Sequence, residues 1–214
     1  KGKAGSPYAI KDYYDVDPDI AVNVEHRIEE FEALVERTHA VGMKVIIDFV
    51  PNHVARRYHS DAKPVGIRDF GENDNSTLGF SPFNDFYYIT RQQFAPSIDL
   101  GRGDDAYIEF PAKASGNDCF TAFPSCNDGY ETVKLNYGVD YGNGSRHFDP
   151  IPPVWFKMLH ILRYWASKGV DGFRCDMAGM VPVEFWQWAI ANVRERFPNI
   201  IFIAEIYEIN RYRD

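Results

Sequence analysis

Charged side chains stand at the ends of two apolar runs of this sequence, at positions that packing alone does not explain. Arg174 and Asp176 end one run, and Glu205 closes the run 200–204. Runs of this length are typical of buried parallel strands, and the carboxyl ends of such strands carry the active site in a β/α barrel. Two carboxyl groups there could cleave a glycosidic bond: one attacks the anomeric carbon and the other protonates the leaving oxygen.

Asp176 and Glu205 suit a retaining mechanism if the two runs are neighbouring strands. Neighbouring strands lie about 4.8 Å apart, and the carboxyl groups of retaining enzymes stand about 5–5.5 Å apart. Arg174 shares a strand face with Asp176, so we expect its guanidinium to keep Asp176 ionised. An acid at Glu205 needs surroundings that raise its pKa. The alternative is structural: an ion pair between Asp176 and Arg174, and a loop-capping role for Glu205.

Hydrophobic periodicity predicts helices and strands that alternate toward both ends of the chain. Asn23 is a suitable N-cap for the first helix and Gly42 a suitable stop. Helices are predicted over 23–41, 153–168 and 183–197. Buried strands are predicted over 43–50, 170–177 and 200–207. This alternation predicts parallel pairing with right-handed crossovers.

Residues 54–152 break the pattern, because they are rich in Gly, Pro, Asn, Asp and aromatic residues and show little periodicity. A structureless loop of that length is uncommon in a compact domain. We therefore predict a small inserted subdomain, with short strands near 86–89 and 132–135.

Three short motifs occur in order, each at the end of a predicted strand. The first has the form D-x-x-x-N-H, the second has the form G-x-R-x-D, and the third is an isolated Glu. Their residues are Asp48, Asn52 and His53, then Gly172, Arg174 and Asp176, and last Glu205. In these motifs the chain resembles the α-amylase superfamily of glycoside hydrolases.

The resemblance implies an α/β fold: a partial (β/α)8 TIM barrel with about strands three to five and a small subdomain inserted after the third strand. Residues 1–53 and 153–214 would belong to the catalytic barrel and 54–152 to the insertion. A complete barrel takes about 250 residues. We therefore expect a segment of a longer enzyme, without the family's fourth motif and inactive alone.

The resemblance also assigns roles to individual residues. Asp176 would be the nucleophile and Glu205 the acid/base. The residues with substrate-binding roles would be Arg174, His53, Tyr8 and Asp48. A Tyr in the place of Tyr8 stacks on the reacting sugar, whose apolar face suits an aromatic ring, and His53 would touch the sugar. The alternatives are a packed loop tyrosine and a structural histidine.

Asn52 matches a calcium ligand of many family members, since its side-chain oxygen suits a hard cation. Many amylases carry Lys-His where this chain has Gly179 and Met180, which removes one usual calcium contact and alters the leaving-group subsites. Calcium binding therefore stays open at this point, and no organic cofactor is expected.

The predicted activity is that of a retaining glycoside hydrolase on α-1,4-linked glucans such as starch and maltooligosaccharides. Gly5 stands where exo-acting α-glucosidases of the family have an Asp that clamps the terminal sugar, which favours endo action. Two alternatives stay open: an α-glucanotransferase with the same catalytic residues, and a non-catalytic glucan-binding barrel.

Composition narrows the choice of partners. The formal net charge of −8 argues against nucleic acid, and no apolar run of about 18 residues predicts a membrane span. Cys119 and Cys126 flank a short loop and could form a local disulfide or remain two reduced thiols.

Overall fold

The computed structural model describes residues 5–99 and 106–213, which form two compact units. Among these residues, the first unit contains 5–11, 52–59, 68–99 and 106–154. The second unit contains 12–51, 60–67 and 155–213. The division into barrel and insertion stays a prediction.

The described residues contain three α-helices and seven short strands. The helices are α1 (Arg27–Ala40), α2 (Pro153–Ser167) and α3 (Val183–Arg194). The strands are β1 (Ile46–Phe49), β2 (His53–Ala55), β3 (Tyr88–Ile89), β4 (Ala112–Lys113), β5 (Thr132–Lys134), β6 (Gly172–Cys175) and β7 (Ile201–Ala204). Every predicted helix and strand is present, with somewhat shorter bounds than the sequence indicated.

The second unit is built on a parallel sheet in the order β1-β6-β7, as the helix–strand alternation predicts. Asp48 pairs with Arg174, and Arg174 pairs with Ile203, so these three side chains project from one face. Gly172 permits a close approach of strands, because a Cβ there would lie 2.5 Å from the carbonyl oxygen of Ile201. The three strands form an open sheet, which is a barrel segment and not a closed barrel.

One face of this sheet is packed against helices. The ring of Phe49 lies 6.0 Å from that of Phe173 and 6.3 Å from that of Trp186 on α3. The indole of Trp165 donates a hydrogen bond to the carbonyl of Tyr13 at 2.7 Å. Five apolar side chains at helical spacing along α2 are all buried: Trp155, Met158, Leu159, Leu162 and Trp165.

The opposite face of the sheet is open, which corrects the expectation of strands buried on both faces. Ile46 is 37% exposed and Ile203 is 49% exposed. The physical reason is that the barrel is not closed, so no other strand covers these side chains. On α1, Leu34 is also exposed, and Val35 is the buried residue of that helix.

The first unit contains two antiparallel strand pairs, β2 with β5 and β3 with β4. Strands β3 and β5 confirm the two short strands predicted in this region. The buried guanidinium of Arg56 donates hydrogen bonds to Glu109 at 2.7 Å and to Ser115 at 2.5 Å. It also lies 3.6 Å over the ring of Phe94. One side chain thus joins three segments of this unit.

Two findings concern membrane-spanning helices and the two loop cysteines. No helix within residues 5–99 and 106–213 has the length and apolar character needed to cross a membrane. Cys119 and Cys126 are free thiols, which agrees with the reduced alternative and not with a local disulfide.

Leu162→Ala should destabilise the protein by about 2–5 kcal/mol, because truncation of a fully buried side chain of α2 leaves a cavity. Urea unfolding measures the change. Leu34→Ala on α1 is the matched control, since Leu34 is 48% exposed and its truncation should cost less than about 1 kcal/mol. Equal losses in the two variants would contradict this description of the core.

Candidate active site

The carboxyl edge of the parallel sheet brings Asp176 and Glu205 to equivalent positions. The last paired row of strands joins Phe49, Cys175 and Ala204. One residue further, the N–H of Asp176 donates to the carbonyl of Phe49 at 2.8 Å, and the N–H of Glu205 donates to the carbonyl of Cys175 at 3.0 Å. The backbone ladder therefore continues to these residues and fixes where each side chain begins.

The guanidinium of Arg174 binds three carboxylates at this edge. Its Nη1 lies 2.9 Å from Asp176 Oδ1 and 3.4 Å from Asp48 Oδ1. Its Nη2 forms an ion pair with Glu205 Oε1. Four residues named by the sequence motifs thus form one cluster within the second unit.

Glu205 receives two further hydrogen bonds from groups that the motifs do not include. The N–H of Met177 donates to Oε2 at 3.0 Å, and the hydroxyl of Tyr207 donates to Oε1 at 2.6 Å. Met177 has a φ of 47°, in the left-handed region. The turn after Asp176 therefore directs the Met177 amide at the carboxylate.

The pKa values of the two carboxyl groups shift in the directions opposite to those expected from the sequence. Burial, together with the nearby charge of Glu205, raises the pKa of Asp176 to about 6 despite its bond to Arg174. Partial burial acts to raise the pKa of Glu205, but it is outweighed by the hydrogen bonds from Met177 and Tyr207 and by Arg174, so that pKa is lowered. The two carboxyl groups influence each other's titration. In the free pair the surroundings thus favour the charged form of Glu205 more than that of Asp176.

Asn52, His53 and Tyr8 lie together in the first unit. The side-chain amide of Asn52 donates to Nδ1 of His53 at 3.1 Å and to the carbonyl of Gly116 at 2.7 Å. His53 also hydrogen-bonds the backbone of Tyr8, and Tyr8 itself is 38% exposed. Burial and the charge of Lys134 lower the pKa of His53 to about 4, so its ring is neutral at pH 7.

The surroundings of Asn52 do not fit a calcium ion. Its Oδ1, the oxygen that a metal would take, accepts a hydrogen bond from the ammonium of Lys134. That ammonium is buried and lies 2.7 Å from Asp118 Oδ1. A divalent ion beside this buried ammonium would be repelled by its positive charge.

Sequence reasoning missed Tyr207, the Met177 amide and the Lys134–Asp118 pair. Tyr207 stands two residues beyond Glu205, and the period of two in an extended chain was a usable signal. Lys134 lies inside a predicted short strand, where a buried charged residue needs a partner. The amide of Met177 carries no sequence signal, because any residue has one.

The sheet and its carboxylate cluster define a segment of an α-amylase-type barrel, and comparisons with known proteins agree. The family model described as "Alpha amylase, catalytic domain" matches residues 3–97. The structure of an alpha-amylase from Lactobacillus plantarum superposes with a TM-score of 0.55 at 26% identity, covering 96% of this chain and 33% of that chain.

Two curated relatives show the range of proteins that this chain resembles. It is 25% identical over 214 residues to the alpha-1,4-glucan:maltose-1-phosphate maltosyltransferase of Cereibacter sphaeroides, covering 95% of this chain and 25% of that protein. It is 26% identical over 190 residues to the human amino acid transporter heavy chain SLC3A1, covering 79% of this chain and 20% of that protein. The chain thus spans a quarter or less of these two relatives. The resemblance to the α-amylase superfamily thus rests on the family model that matches residues 3–97 and on these relatives.

Arg174→Met should raise the pKa of both Asp176 and Glu205, because the guanidinium stabilises both carboxylates. An NMR pH titration of the side-chain carboxyl carbons measures this. Arg163→Met is the matched control: both arginine side chains are 28% exposed, but Arg163 pairs with Glu195. Unchanged pKa values in Arg174→Met would refute the shared ion pair.

Tyr207→Phe should raise the pKa of Glu205, because it removes the hydroxyl that donates to Oε1. The same titration detects the shift. Tyr212→Phe is the control, since Tyr212 is 66% exposed and close in sequence. If both variants leave the titration of Glu205 unchanged, the hydrogen bond from Tyr207 does not influence the carboxylate.

Proposed function

We propose that this chain supplies the catalytic carboxyl pair of a retaining enzyme that acts on α-1,4-linked glucans. Asp176 would be the nucleophile and Glu205 the acid/base. The observation that carries the proposal is the position of these two carboxyl groups at the carboxyl edge of a parallel sheet, with Arg174 bound to both.

The proximity of the two carboxyl groups supports a retaining mechanism over an inverting one. Inverting enzymes separate their carboxyl groups by about 6.5–9.5 Å to admit a water, whereas retaining enzymes keep them about 5–5.5 Å apart. The guanidinium of Arg174 binds both Asp176 and Glu205, which holds the two carboxyl groups near each other. The pair therefore belongs on the retaining side of this distinction.

In the proposed first step, the Asp176 carboxylate attacks the anomeric carbon and forms an ester to the sugar. The glycosidic bond breaks, and its oxygen takes the proton of Glu205. In the second step, Glu205 accepts a proton from water, whose oxygen attacks the same carbon and releases Asp176. Arg174 would stabilise the carboxylate form of each residue in turn.

The first step needs a proton on Glu205, whereas in the free pair the surroundings favour its charged form. We propose that Glu205 takes up this proton when a sugar binds. Loss of the hydrogen bond from Tyr207, which is 78% exposed, would raise the pKa of Glu205 and favour this uptake. Burial under the bound sugar would disfavour the ionised form of Asp176. Arg174 therefore has to stabilise the Asp176 carboxylate.

The remaining motif residues keep proposed substrate-binding roles. Asp48 would orient Arg174, because the two groups pair across β1 and β6. Tyr8 and His53 would contact the sugar, as the family resemblance implies. Endo action is the proposed mode, on the evidence of Gly5 in place of a clamping Asp.

A second candidate is an α-glucanotransferase, in which a sugar hydroxyl replaces water in the second step. The maltosyltransferase relative, similar over 95% of this chain, favours this candidate. A non-catalytic role is the third candidate, which the likeness to a transporter heavy chain brings in. The cluster of Asp176, Arg174 and Glu205 supports an enzyme over that role.

The test uses the natural protein that carries this chain, incubated with soluble starch and with maltooligosaccharides, beside its Asp176→Asn variant. Products are resolved by chain length. Shorter sugars made by the natural protein and at least about 1,000-fold more slowly by Asp176→Asn are expected for a hydrolase with this nucleophile. Longer sugars would identify the transferase. Asp19→Asn, an exposed carboxylate on the same unit, should retain full activity.

Asp176→Asn should also be at least as stable as the natural protein near pH 7. The pKa of Asp176 is raised from 3.8 to about 6, so its ionisation in the folded state lowers stability as the pH rises through about 6. Thermal unfolding at pH 4 and pH 7 checks this and shows that a loss of activity is not a loss of fold. Equal activity in the folded variant, or no product from the folded natural protein, would refute the proposed function.

A further inference from the structure

The ammonium of Lys134 stands at the centre of a buried polar cluster in the first unit. Lys134 ends β5, and it is 1% exposed. Its Nζ lies 2.7 Å from Asp118 Oδ1 and donates a hydrogen bond to Asn52 Oδ1. It also lies 5.7 Å from the centre of the Tyr141 ring. A carboxylate, an amide oxygen and an aromatic face thus surround one cation.

This cluster holds together segments that are far apart in the sequence. Asn52 precedes β2, and 82 positions separate it from Lys134. The nitrogen of the Asn52 side-chain amide donates hydrogen bonds to His53 and to the carbonyl of Gly116. Asp118, the partner of Lys134, lies in the same turn as Gly116. The ammonium therefore orients the Asn52 amide and ties it to this turn.

Oxygen atoms such as those of Asn52 and Asp118 can bind a hard cation, but here both are bound to the Lys134 ammonium. Calcium binds six to eight oxygens at about 2.3–2.6 Å, whereas an ammonium has three donors at ordinary hydrogen-bond distances. Lys134 already supplies one positive charge to Asp118 and one donor to Asn52. A divalent ion could reach Asn52 Oδ1 only if the ammonium left, which would break a buried ion pair.

We propose that Lys134 is the resident cation of this cluster and takes the structural place of a metal ion bound through Asn52. The protein would then keep this part of its fold without calcium. The proposal rests on the contacts of Lys134 and does not depend on the reaction that the enzyme catalyses.

The first test measures thermal unfolding of the natural protein with EDTA and with millimolar calcium, and repeats it with Asn52→Leu. An unchanged midpoint in the natural protein is the expected result. A shift that persists in Asn52→Leu also agrees, because the ion then binds elsewhere. A calcium-dependent rise that disappears in Asn52→Leu would overturn the proposal.

The second test compares Lys134→Met with Lys113→Met. Lys113 is the matched control, since it also ends a short strand of the first unit and pairs with a carboxylate, Glu109, at 3.4 Å, but its side chain is 18% exposed. Lys134→Met should lower the unfolding midpoint by roughly 10 °C, and Lys113→Met by much less. Equal small losses would show that Lys134 does not stabilise the cluster.

The third test asks whether removal of the ammonium creates a metal site. Lys134→Ala leaves the oxygens of Asn52 and Asp118 facing an empty space, and Tb³⁺ luminescence and calcium-dependent unfolding report binding there. Calcium should restore part of the lost midpoint in Lys134→Ala and none in Lys134→Met. If neither variant folds, the calcium titration of the natural protein still decides the proposal.

Discussion

The repulsion between carboxylates at one sheet edge is the constraint on which the site depends, and Arg174 is the group that overcomes it. Parallel register places Asp176 and Glu205 side by side, and it places Asp48 opposite Arg174. Three negative charges at this distance would drive one another apart or take up protons. A planar guanidinium with several fixed donors can bind all of them at once, which a lysine ammonium cannot do in the same geometry.

The first unit meets a comparable problem with a lysine. Lys134 is more deeply buried than Arg174, and burial lowers its pKa while Asp118 acts in the opposite direction. Here a compact charge is sufficient, because it faces one carboxylate and one amide oxygen. In both units a side chain of the protein supplies the positive charge, and in both it also orients the oxygens it binds.

The pKa shifts of the two carboxyl groups show how local contacts decide chemistry. Asp176 and Glu205 are similar acids, yet the one that lies deeper has the higher pKa. Glu205 receives the Met177 amide and the Tyr207 hydroxyl, so its charged form is better stabilised. Glycoside cleavage by this pair requires the opposite preference, with Glu205 protonated and Asp176 ionised. Binding of substrate has to supply the difference, and this makes the surroundings of Glu205 as important as the acid itself.

The sequence by itself determined the order of helices and strands, the parallel pairing, and the placement of Arg174 and Asp176 on one strand face. These features follow from periodicity, and periodicity is a property of residues that are neighbours in the chain. Only the tertiary structure decided which sheet face is exposed, in which direction the pKa of each catalytic carboxyl group shifts, and that the amide of Asn52 faces the ammonium of Lys134. Each of these depends on desolvation and on partners brought together by folding, often across dozens of residues, and no local pattern of apolar and polar residues encodes such contacts.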